Sequence, residues 1–256
     1  MSLKIASNKL EQLCTVQDLL VFEYKTGFRH VVIPVITEHT KGGIDIDPNG
    51  DYEFFRARAA HPGVNRSSFH IWHNQVSVTL CHKTKQMKVG PTGQLIMNKQ
   101  GIGLGPALMA CVLTWLKNQN VDHYMIDPGS LSSVDADTTS AREQRNRFYM
   151  AFGFVLSNWD GSKNGLDVVE GSFTAANVGE LYVPERYQGR LKPWFSFERD
   201  LQIERECGVY NLIELKDIDT WTHSLTWFGR WLLRMWRWPV PFSTRHKHKR
   251  ASWEPK

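Results

Sequence analysis

The sequence predicts an α/β (α+β) fold: a mixed central β-sheet with flanking helices, a strand-rich N-terminal extension and a C-terminal helical, basic extension. Three observations carry this. Leu95, Ile96 and Met97 are strand-like and run into a loop holding Gly101, Gly103 and Gly105. Pro106 then suits the first turn of a helix, and Leu108, Cys111, Val112, Trp115 and Leu116 recur at helical spacing. Upstream, Val76, Val78 and Leu80 alternate with Ser77, Thr79 and Cys81, the period of a strand. At the other end, His223–Arg250 contains no acid and seven bases: Arg230, Arg234, Arg237, Arg245, Lys247, Lys249 and Arg250.

A chain of 256 residues with 41% hydrophobic and 22% charged residues has globular composition and is long enough to bury a sizeable core. The four cysteines, Cys14, Cys81, Cys111 and Cys207, are scattered and form no C-x-x-C pair, which favours reduced thiols over a disulfide framework. No signal peptide opens the chain and no apolar run reaches a membrane span, so a cytoplasmic location is expected. Without the seven C-terminal bases the net charge of +5 becomes −2, so the basic character belongs to the tail.

Taken in order, residues 9–24 place Leu10, Leu13, Val16 and Leu20 at helical spacing, and a helix is expected there. Val31–Ile36 reads as a strand, and Pro34 points to a sheet edge. Asp45, Asp47, Asn49 and Gly50 fit a calcium loop in part, but Arg56 stands where the closing glutamate belongs, so a turn before a strand Tyr52–Ala60 is the better reading. His70 and His73 lie three apart in a β-rich stretch, on opposite faces, and would not share a metal. Lys83–Pro91 reads as a hairpin turn.

After the glycine helix, His123–Asp127 reads as a strand parallel to the one entering the loop, ended by Pro128-Gly129. Leu131–Asp137 reads as a polar loop. Ser140-Ala-Arg-Glu143 has a capping-box pattern, so a helix begins near Ser140; it runs to Phe152, with Gly153 as its left-handed terminator. Phe154–Leu156 continues as a strand, and Ser172–Val183 offers another. Residues 184–222 carry no motif. The chain divides as 1–68, 69–185, 186–222 and 223–256.

A strand, glycine loop and helix start form an anion site, because the first helical amides are unpaired and the dipole end is positive. The spacing is neither G-x-G-x-x-G nor a nucleotide P-loop, since Lys99 precedes the glycines. Gln100, Gly103 and Gly105, with Leu108 three residues later, resemble the Gln/Arg-x-x-Gly-x-Gly/Ala loop of the GNAT superfamily of acyl-CoA-dependent N-acetyltransferases. Tyr149-Met-Ala-Phe-Gly153-Phe154 resembles its later signature, and the two cover roughly residues 70–185.

The resemblance implies a transferase that moves an acetyl group from acetyl-CoA to the amine of an unidentified acceptor. It implies a thioester held near the backbone of Leu95, Ile96 and Met97, and a pyrophosphate on the amides of Gly101, Ile102, Gly103, Leu104 and Gly105, with Gln100 shaping the turn. It gives Tyr149 the role of general acid toward the leaving thiolate. The family's asparagine seven residues earlier is Arg142 here, and Asn146 is out of register; Arg142, Arg145 and Arg147 are candidates for the CoA phosphates. Candidate bases are His73, Glu53 and Asp127. The helix pair usual between the family's first two strands is not visible, and no metal is implied.

The competing function is a non-catalytic protein of the same fold docking on nucleic acid or membrane. A third keeps the enzyme with a larger acyl group or a nucleic-acid acceptor. Trp221–Trp238 holds five of the ten tryptophans, with Leu225, Phe228, Leu232 and Met235 on one helical face and Arg230, Arg234 and Arg237 on another. Such a helix suits either a peripheral site on an anionic membrane or packing on the fold or on a second subunit, as in a homodimer. Residues 223–256 as a whole are the candidate surface for membrane or nucleic acid.

Overall fold

The computed structural model of the protein describes residues 2–27, 29–42, 50–60, 69, 73–90, 97, 101–162 and 164–206. Helix α1 (Leu3–Gln12) leads into five strands: β1 (Thr15–Thr26), β2 (Arg29–Gly42), β3 (Tyr52–Ala59), β4 (Gln75–Cys81) and β5 (Gln86–Val89). Helix α2 (Leu104–Lys117) follows, then β6 (Met125–Asp127) and β7 (Gly129–Leu131), helix α3 (Thr139–Met150), β8 (Val155–Ser157), β9 (Gly171–Thr174), β10 (Leu191–Pro193) and α4 (Trp194–Glu206). The result is a mixed α/β fold. One sheet runs β10-β1-β2-β3-β4-β5-β6 and a second runs β7-β9-β8. Residues of the segments 1–68, 69–185 and 186–222 all contribute strands to the first sheet. No described helix is long and apolar enough to cross a membrane.

The two faces of the large sheet have different fillings. Phe22, Ile33, Val35, Ala57, Val76, Val78 and Leu80 pack in one core with Leu104, Leu108, Val112 and Leu116 of α2. Those four α2 positions recur every four residues, so one stripe of the helix lies on the strands. Fully burying each such side chain is worth about 1.5–3 kcal/mol. On the opposite face Leu3, Ala6 and Leu10 of α1 cover Tyr52, Phe54 and Cys81. This explains why all seven residues of β4 are buried although they alternate apolar and polar. Its polar side lies beneath α1, where the hydroxyls of Ser7 and Thr79 bond each other.

Several expectations need correction. The helix expected over 9–24 is instead the end of α1 followed by β1. Leu13 and Val16 are 57% and 59% exposed, so their helical spacing marks no buried stripe. Pairing of β1 with β2 from Thr15↔His39 to Thr26↔Arg29 outweighs the local pattern. Pro34 does not mark an edge: β2 lies between β1 and β3. The Pro34 carbonyl accepts from Ala60 N–H at 2.8 Å, so its missing donor faces the place where β3 ends and no ladder is interrupted.

Helix α3 is capped by Thr138 rather than Ser140; the Thr138 Oγ1 accepts from Ala141 N–H at 3.1 Å. It ends at Met150, and Gly153 follows in the left-handed region at φ 93°. A Cβ there would also stand 2.7 Å from the Glu180 carbonyl oxygen. Leu131–Asp137 is not wholly loop: Leu131 closes β7, and Ser133–Ala136 form a 3-10 turn. The unreadable stretch 184–222 supplies β10 and α4. The calcium-loop residues 45–49, His70, the tryptophan-rich segment and the basic tail lie outside the described residues.

Candidate functional site

The loop before α2 ends at Gly103, the N-cap residue, with φ 84° and ψ 7°; Gly101 has φ 79°. A side chain in that region costs roughly 1–2 kcal/mol, so glycine fits both places. Ala107 N–H donates to the Gly103 carbonyl at 3.1 Å, which starts the helical ladder. Pro106 has no N–H, so the amides of Leu104 and Gly105 are the ones left to face an incoming anion. Ile102 and Met97 pack against the core below. Met97 closes over the first turn, its Cγ standing 3.4 Å from where a Cβ on Gly105 would be. Met97 is in no strand, and the described strand leading toward the loop is β5; Leu95, Ile96 and Gln100 lie outside the described residues.

At one edge of the large sheet two parallel strands diverge. Among the described residues β5 and β6 pair from Gln86↔Met125 to Lys88↔Asp127. Past that point Gly90 N–H bonds the Ser77 carbonyl of β4 at 2.6 Å, while beyond Pro128 the other strand resumes as β7 and pairs with β9. Lys88 Nζ and Asp127 Oδ2 meet at 2.6 Å at this fork. Asp127 is therefore ion-paired at the fork.

The other candidate bases are placed differently. Glu53 is buried, with His39 Nε2 at 2.7 Å, His82 Nε2 at 2.9 Å and Lys41 Nζ at 3.1 Å. Burial alone raises its pKa, but hydrogen bonds from His39, Lys41 and His82 and the charge of Lys41 outweigh this and hold it below the usual 4.5. A carboxylate so held is a weak base. His82 Nδ1 in turn lies 2.9 Å from the Tyr124 hydroxyl, whose pKa burial and nearby Asp51 push up. His39 also packs on Trp115 near the end of α2, with ring centroids 5.7 Å apart. At about 1.5 Å rise per residue, this places Glu53 roughly 16 Å along α2 from the glycine loop. His73 is half-buried and precedes β4.

On α3, Tyr149 is 4% exposed and stacks on Phe173 at 4.2 Å, with Phe154 edge-on. Asn146 is fully buried, and its amide donates to the carbonyls of Gly165, Leu166 and Val168 at 2.8–3.2 Å. Arg145 donates to the carbonyls of Ser132, Val168 and Val169. Both side chains fasten loops. Arg147 is exposed and pairs with Glu143 one turn back at 2.9 Å. Arg142, on the same helical face as Asn146 and Tyr149, has a buried Nε with no hydrogen-bond partner.

A cavity of about 610 Å³ opens beside the loop, between Gly101–Ile102 and the tip of the β1–β2 hairpin. Tyr24, Lys25 and His30 form one side and Arg190 another. A Cβ on Gly103 would lie 3.8 Å from Arg190 Nη2, and the guanidinium sits over the Phe22 ring at 5.7 Å. Sequence reasoning did not find Arg190, Lys25 or His30. Arg190 enters the site because β10 pairs with β1 through Leu20↔Pro193 and Phe22↔Leu191, and a three-residue strand leaves no readable period. Among the described residues no group of His, Cys, Asp and Glu is arranged to hold a metal. No family model, curated protein or solved structure matches the chain.

Proposed function

We propose that the protein is an N-acetyltransferase of the GNAT type that moves an acetyl group from acetyl-CoA to an amine. The observation that supports this best is the fork between β5 and β6–β7 in a sheet that also carries a glycine-capped helix. The gap between two diverging parallel strands would take an extended acyl-pantetheine arm. The diphosphate then reaches the amides of Leu104 and Gly105, where the dipole end of α2 favours negative charge.

In the reaction the neutral amine attacks the thioester carbonyl carbon, and a tetrahedral oxyanion forms. Backbone N–H groups along the gap stabilise that charge better than they stabilise the ground-state carbonyl. Collapse breaks the C–S bond; the nitrogen loses its extra proton to water, the thiolate takes a proton from its donor, and water returns one to that donor, so the products are the amide and the free thiol. Tyr149 is assigned as that donor; the face it shares with Arg142 and Asn146 supports this, since Arg142 holds an unused donor on that side. Glu53 is set aside as a base because it is ion-paired and lies at the far end of α2.

Acetyl-CoA is expected to bind and to raise the melting temperature by mass action. Gly103→Glu puts a carboxylate beside Arg190 and against the diphosphate, and is expected to abolish that shift. An unchanged shift in a folded Gly103→Glu protein removes acetyl-CoA from the loop. With an acceptor found by mass spectrometry, Tyr149→Phe is expected to lower kcat by about 10²–10⁴-fold with little change in acetyl-CoA affinity. Full activity of that variant removes Tyr149 from the chemistry.

A further inference from the structure

The cavity beside the glycine loop holds more positive charge than a diphosphate on helix amides requires. Its acid, Glu23, is already matched: Lys192 Nζ lies 3.3 Å from its carboxylate and His30 Nε2 3.7 Å. Lys25 and Arg190 have no carboxylate partner among the described residues. Arg190 is exposed and directly precedes β10, and its guanidinium lies over the Phe22 ring at 5.7 Å. About 610 Å³ is room for a phosphorylated ribose and part of a base.

We propose that this cavity is a phosphomonoester pocket. It takes the 3′-phosphate of a CoA-type ligand between Arg190 and Lys25, and it makes the protein select CoA over 3′-dephospho-CoA. This rests on the acyl-CoA reading of the loop, but it assigns the selectivity to residues outside both motifs, on the β1–β2 hairpin and just before the strand that closes the sheet. Arg190 is the principal determinant, because its fork can hold two phosphate oxygens at once. Lys25 is a point charge at the hairpin tip.

Calorimetric titration of the full chain with CoA and with 3′-dephospho-CoA, at low salt, tests this. The natural protein is expected to bind CoA about tenfold or more tighter. Arg190→Ala is expected to reduce that preference to below about threefold by weakening CoA alone; Lys25→Ala reduces it less, and Arg190→Lys keeps part of it. Rising salt is expected to shrink the preference in the natural protein and to have little left to shrink in Arg190→Ala. Equal affinity of the natural protein for the two ligands, or an undiminished preference in the double variant, overturns the pocket and leaves the acyl-CoA reading standing. Failure of the natural protein to bind either ligand removes the acyl-CoA reading itself, and this assignment with it.

Discussion

The Glu53 cluster and the Arg190 cavity sit toward opposite ends of α2 and use their charges in opposite ways. At Glu53 the buried charge is answered: two histidines and a lysine surround one carboxylate. At Arg190 and Lys25 the cations border a cavity, and the one acid nearby is occupied by other partners. A saturated, buried ion holds a fold together. An unsaturated pair beside open volume is available to something else. The α1 face repeats the first pattern: Arg56 bonds Glu38 at 2.7 Å and also Glu11, and Arg58 bonds the other Glu38 oxygen at 2.7 Å.

The contrast gives an ordered set of effects. Arg56→Met should be the most damaging, because it leaves Glu38 and Glu11 short of a partner at a site 4% exposed. A loss of about 3–5 kcal/mol is expected in urea unfolding; a loss under about 1 kcal/mol would show that the network contributes little. Glu53→Gln keeps the shape and removes the charge, with an expected loss of about 1–3 kcal/mol at neutral pH. Because folding lowers the pKa of Glu53, its contribution is present above the ordinary 4.5 and fades as pH falls through the lower folded value. The Gln variant should therefore lose less stability than the natural protein on acidification, and parallel urea midpoints in the two would contradict that. The smallest effect is at Arg190: Arg190→Ala should leave the unliganded protein within about 0.5 kcal/mol. A larger loss would make Arg190 a structural residue like Arg56 and erase the distinction.

How much of this could be read beforehand depended on range. The glycines before α2, the helix carrying Leu108, Cys111, Val112, Trp115 and Leu116, the alternation over residues 76–81, a strand within His123–Asp127 and the turn at Gly153 all rest on local patterns, and the structure has them. The helix expected over 9–24 failed because Leu13, Val16 and Leu20 obey a helical period while β1 is decided by its long pairing with β2. Asn146, out of register with the family's asparagine, had no role assigned by its sequence position; three carbonyls about twenty residues ahead make it a loop anchor. Arg190 was invisible, since its place follows from pairing with a strand some 170 residues earlier in the chain.

That last pairing has a consequence for synthesis. β1 leaves the ribosome well before β10, which completes one of its edges. At about 5–20 residues per second, the edge waits on the order of ten seconds or more for its partner. During that interval a nascent chain carries an open strand edge along Leu20, Val21 and Phe22, a surface on which another nascent chain can add. Its charged neighbours Asp18, Glu23 and Lys25 act as gatekeepers there. The cavity beside the glycine loop forms on the same clock, because Arg190 reaches that loop only when the edge closes.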